Sequence, residues 1–426
     1  MKIILLTESV FDILNNDAAT ILISLSIMLF GGFLLTRVTK RFKLPNVTAY
    51  IFTGILIGPL FAHFVGKSLI SDDIIKGMGF LTDIALAFIA FNVGRFFKLD
   101  VLKESGPKII VITLFESIMA ALVVFLTMFF LFNIHFELSL LLAAIASATA
   151  PASTMMTIRQ TKAKGDFVNT ILQVVALDDA ISLILFSISI AIITAVDSGG
   201  GFSAWIIFKP LLINIGILVL GALLGYLLHK LIIESRTPDN RLIIVISLLL
   251  ALSGFAAIFD VSPLLGCMAM GAVYLNISKD SSLFRQIDNF SPAILTLFFV
   301  LSGMRLKLDM LISIGLVGVV YFVVRIIGKY GGATLGSIVT NSTSNNKKYL
   351  GLALVPQAGV SLGLAALGAR ILESYGLYND AAVLSTIIIA SGVLYEIFGP
   401  PSAKLSLYLS KSYSVEKKPN TPQTVE

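Results

Sequence analysis

Apolar stretches of about 20 residues, separated by short polar segments, are the feature that most constrains the fold of this chain. The chain has 426 residues, of which 57% are hydrophobic and only 13% are charged. A stretch of this kind folds as a transmembrane helix, because a helix satisfies its backbone polar groups within one segment. We therefore expect an all-α polytopic membrane protein in contact with the lipid bilayer.

Thirteen such stretches follow one another, with connections too short to hold an inserted soluble domain. They are 18–36, 46–62, 76–94, 109–132, 137–157, 168–196, 204–229, 241–258, 262–276, 290–304, 309–337, 349–370 and 381–403. If the N-terminus lies outside, most of the 31 Lys and Arg residues fall on the inner side, where loops are rich in them. The pattern predicts a multi-pass protein of the cell membrane (inner or plasma membrane) with a cytoplasmic C-terminus.

Several classes of function do not fit the composition. The net charge of +6 comes from basic residues spread over short loops, which is not the clustered patch of a nucleic-acid-binding protein. Cys267 is the single cysteine, so no intrachain disulfide can form, and with three histidines the chain lacks the usual ligands of a structural zinc or haem site. We expect no cofactor, no nucleic-acid partner and no enzymatic activity.

A nine-residue motif occurs twice, which indicates an internal repeat. Segments 94–102 and 303–311 both fit Gly-x-x-x-Lys-Leu-Asp-x-Leu. The first ends the third span on the inner side and the second ends the tenth span on the outer side. We therefore expect spans 1–6 and 8–13 to be inverted copies joined by span 7, a common design of secondary transporters.

The fifth and twelfth spans occupy equivalent places in the two copies, and each contains a helix-breaking proline. Pro151 interrupts the fifth span, and Pro356 interrupts the twelfth, followed by Gln357 and Gly359. Proline removes a backbone donor and clashes with the preceding turn, and exposed backbone is tolerated in a membrane only where protein or a cavity surrounds it. We interpret both as broken helices at a midplane site; the alternative is a pair of proline kinks without a binding role.

Asp178 and Asp179 lie side by side in the sixth span. Ionised carboxylates are costly in hydrocarbon, so each needs a base, a proton or a cation. Adjacent residues on a helix point about 100° apart, so one acid can face the cavity and the other a basic side chain. The equivalent positions of the second copy are Ile387 and Ile388, so the fold itself does not require the acids, and we predict that they bind a cation and protons.

Arg325 and Lys329 in the eleventh span are the candidate basic partners. They are four residues apart and share a helix face. Lysine suits a proton-coupled role better, because it can lose its proton when buried whereas arginine stays charged, although Lys329 could instead extend to the cytoplasmic interface. The hydroxyl of Thr149 is a candidate ion ligand unless it bonds to its own backbone. Structural roles are expected for four further acids: Asp83, Glu116, Asp260 and Glu396.

Five segments together carry a family resemblance. They are Leu44-Pro45 to Gly58-Pro59, Thr149-Ala150-Pro151-Ala152, Leu177-Asp178-Asp179, Ser262-Pro263 to Gly271, and Gly328-Lys329 to Gly332. In order and spacing they resemble the monovalent cation:proton antiporter-2 family over about residues 18–403. The resemblance implies a fold like that of the bacterial sodium/proton antiporter NapA, in which a core with two crossing broken helices moves against a dimerisation scaffold, and hence a homodimer.

The resemblance also implies a division of the chain and a role for each site residue. Asp179 matches the aspartate that binds cation and proton, Asp178 the acid that pairs with a lysine, and Lys329 that lysine, with Arg325 as the other candidate. Two departures bear on ion preference: Gln357 stands where some relatives have a charged residue, and the nucleotide-binding domain usual in Kef-like potassium members is missing. The implied regions are scaffold 18–107 and 241–308, core 108–196 and 309–403, linker helix 197–240, and a disordered cytoplasmic tail 404–426.

These observations predict a secondary active antiporter that exchanges a monovalent cation for protons by alternating access, with a part in pH homeostasis. Na⁺ bound by Asp178 and Asp179 is the first expectation, with Li⁺ and K⁺ open, and two protons per cation would make the exchange electrogenic. The alternatives are a Kef-like K⁺/H⁺ antiporter without a regulatory domain and a cation channel. An intramembrane aspartyl protease fits poorly, since its two acids share one proton and normally come from separate helices.

Overall fold

A computed structural model gives the fold of the protein. It describes residues 17–41, 46–66, 69–95, 97, 99–100, 106–150, 154–155, 157–158, 161–197, 204–233, 235–259, 263–306, 308–357 and 359–413. Within these ranges all regular secondary structure is helical. The predicted all-α fold is thus confirmed.

The helices follow the apolar stretches of the sequence and are numbered here in chain order. They are α1 Asp17–Arg41, α2 Asn46–Val65, α3 Phe80–Gly94, α4 Pro107–Leu131, α5 Phe136–Ala146, α6 Asp166–Asp197, α7 Ala204–Leu231, α8 Pro238–Ile258, α9 Leu264–Ser278, α10 Ser282–Phe290, α11 Pro292–Met304, α12 Leu308–Val339, α13 Ser344–Ala353, α14 Gly359–Ser374 and α15 Tyr378–Leu409. A short helix, Asp72–Gly77, precedes α3.

Nine helices in the described part of the chain are long and apolar enough to cross a membrane, or ten if the bent pair α10 and α11 forms one span. Helices α5 and α9 are apolar but shorter. The count of thirteen spans therefore stays a prediction. The polytopic character is confirmed, because apolar helices of this length need a lipid environment.

The twelfth predicted span is broken where its proline lies. Helix α13 ends at Ala353, α14 begins at Gly359, and Pro356 and Gln357 lie in non-helical chain between them. Helix α5 likewise ends at Ala146, so the fifth predicted span, 137–157, is not one continuous helix. Pro151 itself lies outside the described residues.

Two predicted boundaries differ from the structure. The tenth span, predicted as 290–304, is preceded by α10, and the axes of α10 and α11 differ by 51° because Ser291-Pro292 interrupts the chain of helical hydrogen bonds. The tail predicted from residue 404 begins later, since α15 continues through Pro400 and Pro401 to Leu409. The expected disorder beyond residue 413 falls outside the described residues.

Close helix crossings at glycine repeat in the two halves. A Cβ on Gly303 of α11 would lie 2.2 Å from the carbonyl oxygen of Ile51 in α2, and a Cβ on Gly94 of α3 would lie 2.4 Å from that of Met268 in α9. These glycines are the first residues of the two motif copies, and only a residue without a side chain permits such approach. The two motifs thus mark equivalent crossings, α11 on α2 and α3 on α9.

Candidate functional site

Helix α6 carries Asp178 and Asp179 through the interior of the molecule, where both side chains are buried. Asp178 is fully partnered: Ser117 Oγ on α4 donates to its Oδ1 at 2.6 Å, and Lys329 Nζ on α12 donates to its Oδ2 at 2.6 Å. The predicted pairing of a lysine with Asp178 is thus present in the geometry. Lys329 is completely buried, so it does not extend to the membrane interface.

The Lys329 ammonium has three oxygens around it. It donates hydrogen bonds to Asp178 and to the carbonyl oxygen of Ser147, just beyond the end of α5. Glu116 Oε2 on α4 lies 2.6 Å from it as an ion pair, without the angles of a hydrogen bond. The chain therefore places one base between two acids, and Glu116, for which the sequence predicted a structural role, lies beside this base.

A stripe of glycines on α12 brings this base within reach of α4. Gly328, Gly332 and Gly336 are spaced by four residues and all face α4. A Cβ on Gly332 would lie only 2.5 Å from the Cα of Glu116. Backbones that touch in this way shorten the distance that Lys329 must span, so the glycine spacing in the sequence explains the ion pair.

Asp179 differs sharply from its neighbour. Neither of its carboxylate oxygens has a hydrogen-bond partner among the described residues, although only 1% of the residue is exposed. A buried, unpaired carboxylate is costly unless it holds a proton or a cation. Within the described residues no group of three or more His, Cys, Asp or Glu side chains could hold a metal ion, so any cation there must also draw on hydroxyl and carbonyl oxygens.

Thr149 meets the condition set for an ion ligand. Its Oγ1 is buried and has no hydrogen-bond partner in the described part of the structure. By contrast, Ser147 Oγ donates to the carbonyl oxygen of Ala144 at 2.6 Å, which is the local bonding that makes a hydroxyl unavailable. Thr149 thus presents a free oxygen beside the end of the first broken helix.

Arg325 donates hydrogen bonds to the ends of the broken helices and not to Asp178 or Asp179. Its guanidinium donates to the carbonyl oxygens of Ala146 and Ala148 after α5, and of Val355 after α13, the last at 2.9 Å. The ring of Tyr395 lies 4.6 Å from its Cζ, which adds a cation–π contact. Between the two candidates, Lys329 contacts Asp178, whereas Arg325 contacts buried carbonyl oxygens at the ends of α5 and α13.

The two broken segments also contact each other directly. The backbone N–H of Ala150 donates to the carbonyl oxygen of Pro356 at 2.9 Å, and Gln357 Nε2 donates to that of Ile145 at 2.7 Å. Gln357 therefore bridges the breaks. Gly359 opens α14 with Ile89 and Phe299 nearest to its missing Cβ, so it meets neighbouring helices rather than the acids.

Of the remaining acids, two lie among the described residues and one does not. Asp83 forms a bidentate ion pair with Arg370, at 2.7 and 3.2 Å, in keeping with a structural role. Glu396 is buried on α15, and Asp260 lies outside the described residues. The sequence prediction does not place Glu116 beside Lys329. One signal was available: Glu116 and Arg325 are 209 residues apart, the same offset as Gly94 and Gly303 of the two motif copies, so their helices occupy equivalent places in the repeat.

Comparisons with known proteins agree over nearly the whole chain. The chain is 21% identical over 410 residues to the ammonium/H⁺ antiporter subunit AmhT of Alkalihalophilus pseudofirmus, covering 95% of this chain and 98% of the relative. It is 20% identical over 436 residues to the high-affinity Na⁺/H⁺ antiporter NhaS3 of Synechocystis, covering 94% and 93%.

The fold has a solved counterpart in the sodium proton antiporter MjNhaP1 of Methanocaldococcus jannaschii, with a TM-score of 0.77 at 19% identity over 92% of this chain and 99% of that one. A sequence profile described as sodium/hydrogen exchanger, transmembrane, matches residues 22–399. The resemblance of the sequence to cation:proton antiporters is thereby confirmed. The chain is a multi-pass membrane protein and belongs to the sodium/hydrogen exchanger family.

Proposed function

We propose that the chain exchanges a monovalent cation, Na⁺ in the first place, for protons by competition at Asp179. The observation that carries the proposal is the contrast between the two neighbouring acids. Asp178 has a serine and a lysine on its oxygens, whereas both oxygens of buried Asp179 are unpartnered in the described structure. Because the site must hold either a proton or a cation, competition for it is enough to couple cation transport to proton transport.

The cation would be held by Asp179 together with Asp178, Thr149 Oγ1 and carbonyl oxygens of the broken helices. Hard oxygen ligands of this kind suit alkali ions. If the proton-loaded site carries two protons and the cation-loaded site none, the two states differ by one charge and exchange is electrogenic. The broken helices and the two close-packed halves support an alternating-access cycle in which the core, 108–196 and 309–403, moves against the scaffold, 18–107 and 241–308.

The setting follows from the family and the charge pattern. We propose a homodimer in the cell membrane, with the N-terminus outside and the C-terminus in the cytoplasm, as the distribution of Lys and Arg favours. The related proteins are named for Na⁺ and for ammonium, so both ions belong in the assay beside Li⁺ and K⁺.

The test is proton movement in proteoliposomes after each cation is added. Replacing Asp179 by asparagine should abolish cation-driven proton release, because the amide neither takes up a proton nor carries a charge for the cation. The matched control is Asp166→Asn at the exposed start of the same helix, which should retain exchange. Exchange that survives Asp179→Asn would refute the assignment.

The same assay separates the alternatives. A preference for K⁺ over Na⁺ would favour a K⁺/H⁺ antiporter. Cation flux that proceeds down its gradient without proton movement would favour a channel. Dependence of the exchange rate on an imposed membrane potential tests whether the number of protons per cation exceeds one.

A further inference from the structure

Glu116 is a buried acid that the proposed exchange step does not use. It is completely buried on α4, with Oε2 2.6 Å from Lys329 Nζ and Oε1 3.2 Å from Ser117 Oγ. Ser117 has a single hydroxyl proton, and its 2.6 Å contact with Asp178 is the shorter of the two. Among the described residues, Lys329 is therefore the charged partner of Glu116, through an ion pair.

The cluster has more acids than bases. Among the described residues, Glu116 and Asp178 both contact the ammonium of Lys329, and the buried Asp179 next to Asp178 has no hydrogen-bond partner. Arg325, one turn away on α12, directs its donors to backbone carbonyls. If Asp178 turns to a cation beside Asp179, it must give up part of its bond to Lys329, and a buried charge left without a partner is strongly destabilising.

We propose that Glu116 is the standing counter-ion of Lys329, a positioning residue that releases Asp178 for the cation. The inference rests on the proposed function. With Glu116 and the Ser147 carbonyl in place, Lys329 stays paired when Asp178 swings toward the cation. Without Glu116, Asp178 is the only carboxylate in the described part of the chain that forms an ion pair with Lys329, so the lysine holds it and competes with the cation.

The test replaces Glu116 by glutamine, which keeps the shape and removes the charge. The cation concentration for half-maximal exchange should rise about tenfold. This is the change expected if the Lys329–Asp178 pair, which competes with the cation for Asp178, becomes tenfold more stable. The rate at saturating cation should change little. Thr113→Val is the matched control, because Thr113 is buried one turn earlier on α4 and donates only to its own backbone, at the carbonyl oxygen of Ile109.

A second variant separates positioning from packing. Adding Lys329→Met to Glu116→Gln removes the competitor, so the double variant should regain much of the cation affinity lost in the single variant. This recovery, measured as cation-dependent thermal stabilisation in detergent, is not expected if Glu116 only fills space. If Glu116→Gln does not fold, the double variant should still do so in the presence of the cation, which then takes the place of Lys329 beside Asp178.

The outcomes distinguish this inference from the proposed function. Wild-type protein that shows neither cation-driven proton movement nor stabilisation by a cation would refute the proposed function. Wild-type exchange combined with an unchanged half-saturation in Glu116→Gln would refute the role of Glu116 alone. A double variant with weaker cation binding than the single variant, or one that fails to fold with the cation present, would also overturn it.

Discussion

Replacing Arg325 by methionine should destabilise the protein strongly. The buried acids and their lysine stay unchanged: Glu116, Asp178, Asp179 and Lys329. Methionine keeps most of the aliphatic stem but removes three donors to the carbonyl oxygens of Ala146, Ala148 and Val355. Hydrogen bonds from a charged donor contribute about 1.5–3 kcal/mol each. The cost of burying the guanidinium offsets part of the sum, so we expect a net loss of about 3–5 kcal/mol.

A loss of this size is measurable by heating detergent-solubilised protein and following the monodisperse fraction by size-exclusion chromatography. At roughly 2 °C per kcal/mol for a large domain, the midpoint should fall by about 6–10 °C. Arg370→Met is the matched control: Arg370 pairs with Asp83, but 47% of its side chain is exposed, and exposed pairs contribute about 1 kcal/mol or less. If the thermal midpoint falls equally in Arg325→Met and Arg370→Met, burial of the bonded carbonyl oxygens does not determine the loss of stability.

Two further predictions use features away from the acids. Gly332→Ala should cost about 1–3 kcal/mol, because its Cβ would lie 2.5 Å from the Cα of Glu116 and overpacking has a cost of this size; Gly331→Ala, where nothing lies within 4 Å, should not lower the midpoint, and a shared loss would refute the packing argument. The hydrogen bond from His135 Nδ1 to Asp380 at 2.7 Å, with the charge of Asp380, raises the pKa of His135. A raised folded pKa means that the stabilisation is complete below the unfolded value of about 6.5 and is lost as pH rises through the folded pKa. His135→Gln should therefore lower the midpoint in mildly acidic buffer and leave it unchanged in alkaline buffer, and a difference that grows with pH would contradict this.

Much of the fold is predictable because lipid restricts the available structures. Apolar stretches such as the one around Asp178 must be helical when no water can satisfy the backbone, so periodicity was not needed to find them. The break at Pro356 also follows from local chemistry, since proline ends a helical hydrogen-bond ladder whatever surrounds it. The bend before Pro292 has the same cause. The apolar stretch begins only at residue 290, however, so the sequence predicts a span that does not include the preceding amphipathic helix α10.

The candidate site was only partly predictable. The sequence leaves two candidate bases for Asp178, namely Arg325 and Lys329. Which of them contacts Asp178 depends on how closely α12 packs against α4. That distance is set by the glycine stripe, and its effect on contacts becomes visible only in three dimensions. For the same reason the sequence shows Glu116 as a costly acid in a span, but not as a second ion-pair partner of Lys329.

The bond from the Ala150 N–H to the Pro356 carbonyl joins main chain to main chain. No side-chain exchange can delete it, short of a proline at position 150. A replacement at Thr149, whose hydroxyl makes no hydrogen bond within the described structure, thus leaves this bond between the two interrupted helices intact. Ion preference would then change by a single replacement at Thr149 while the two breaks stay joined.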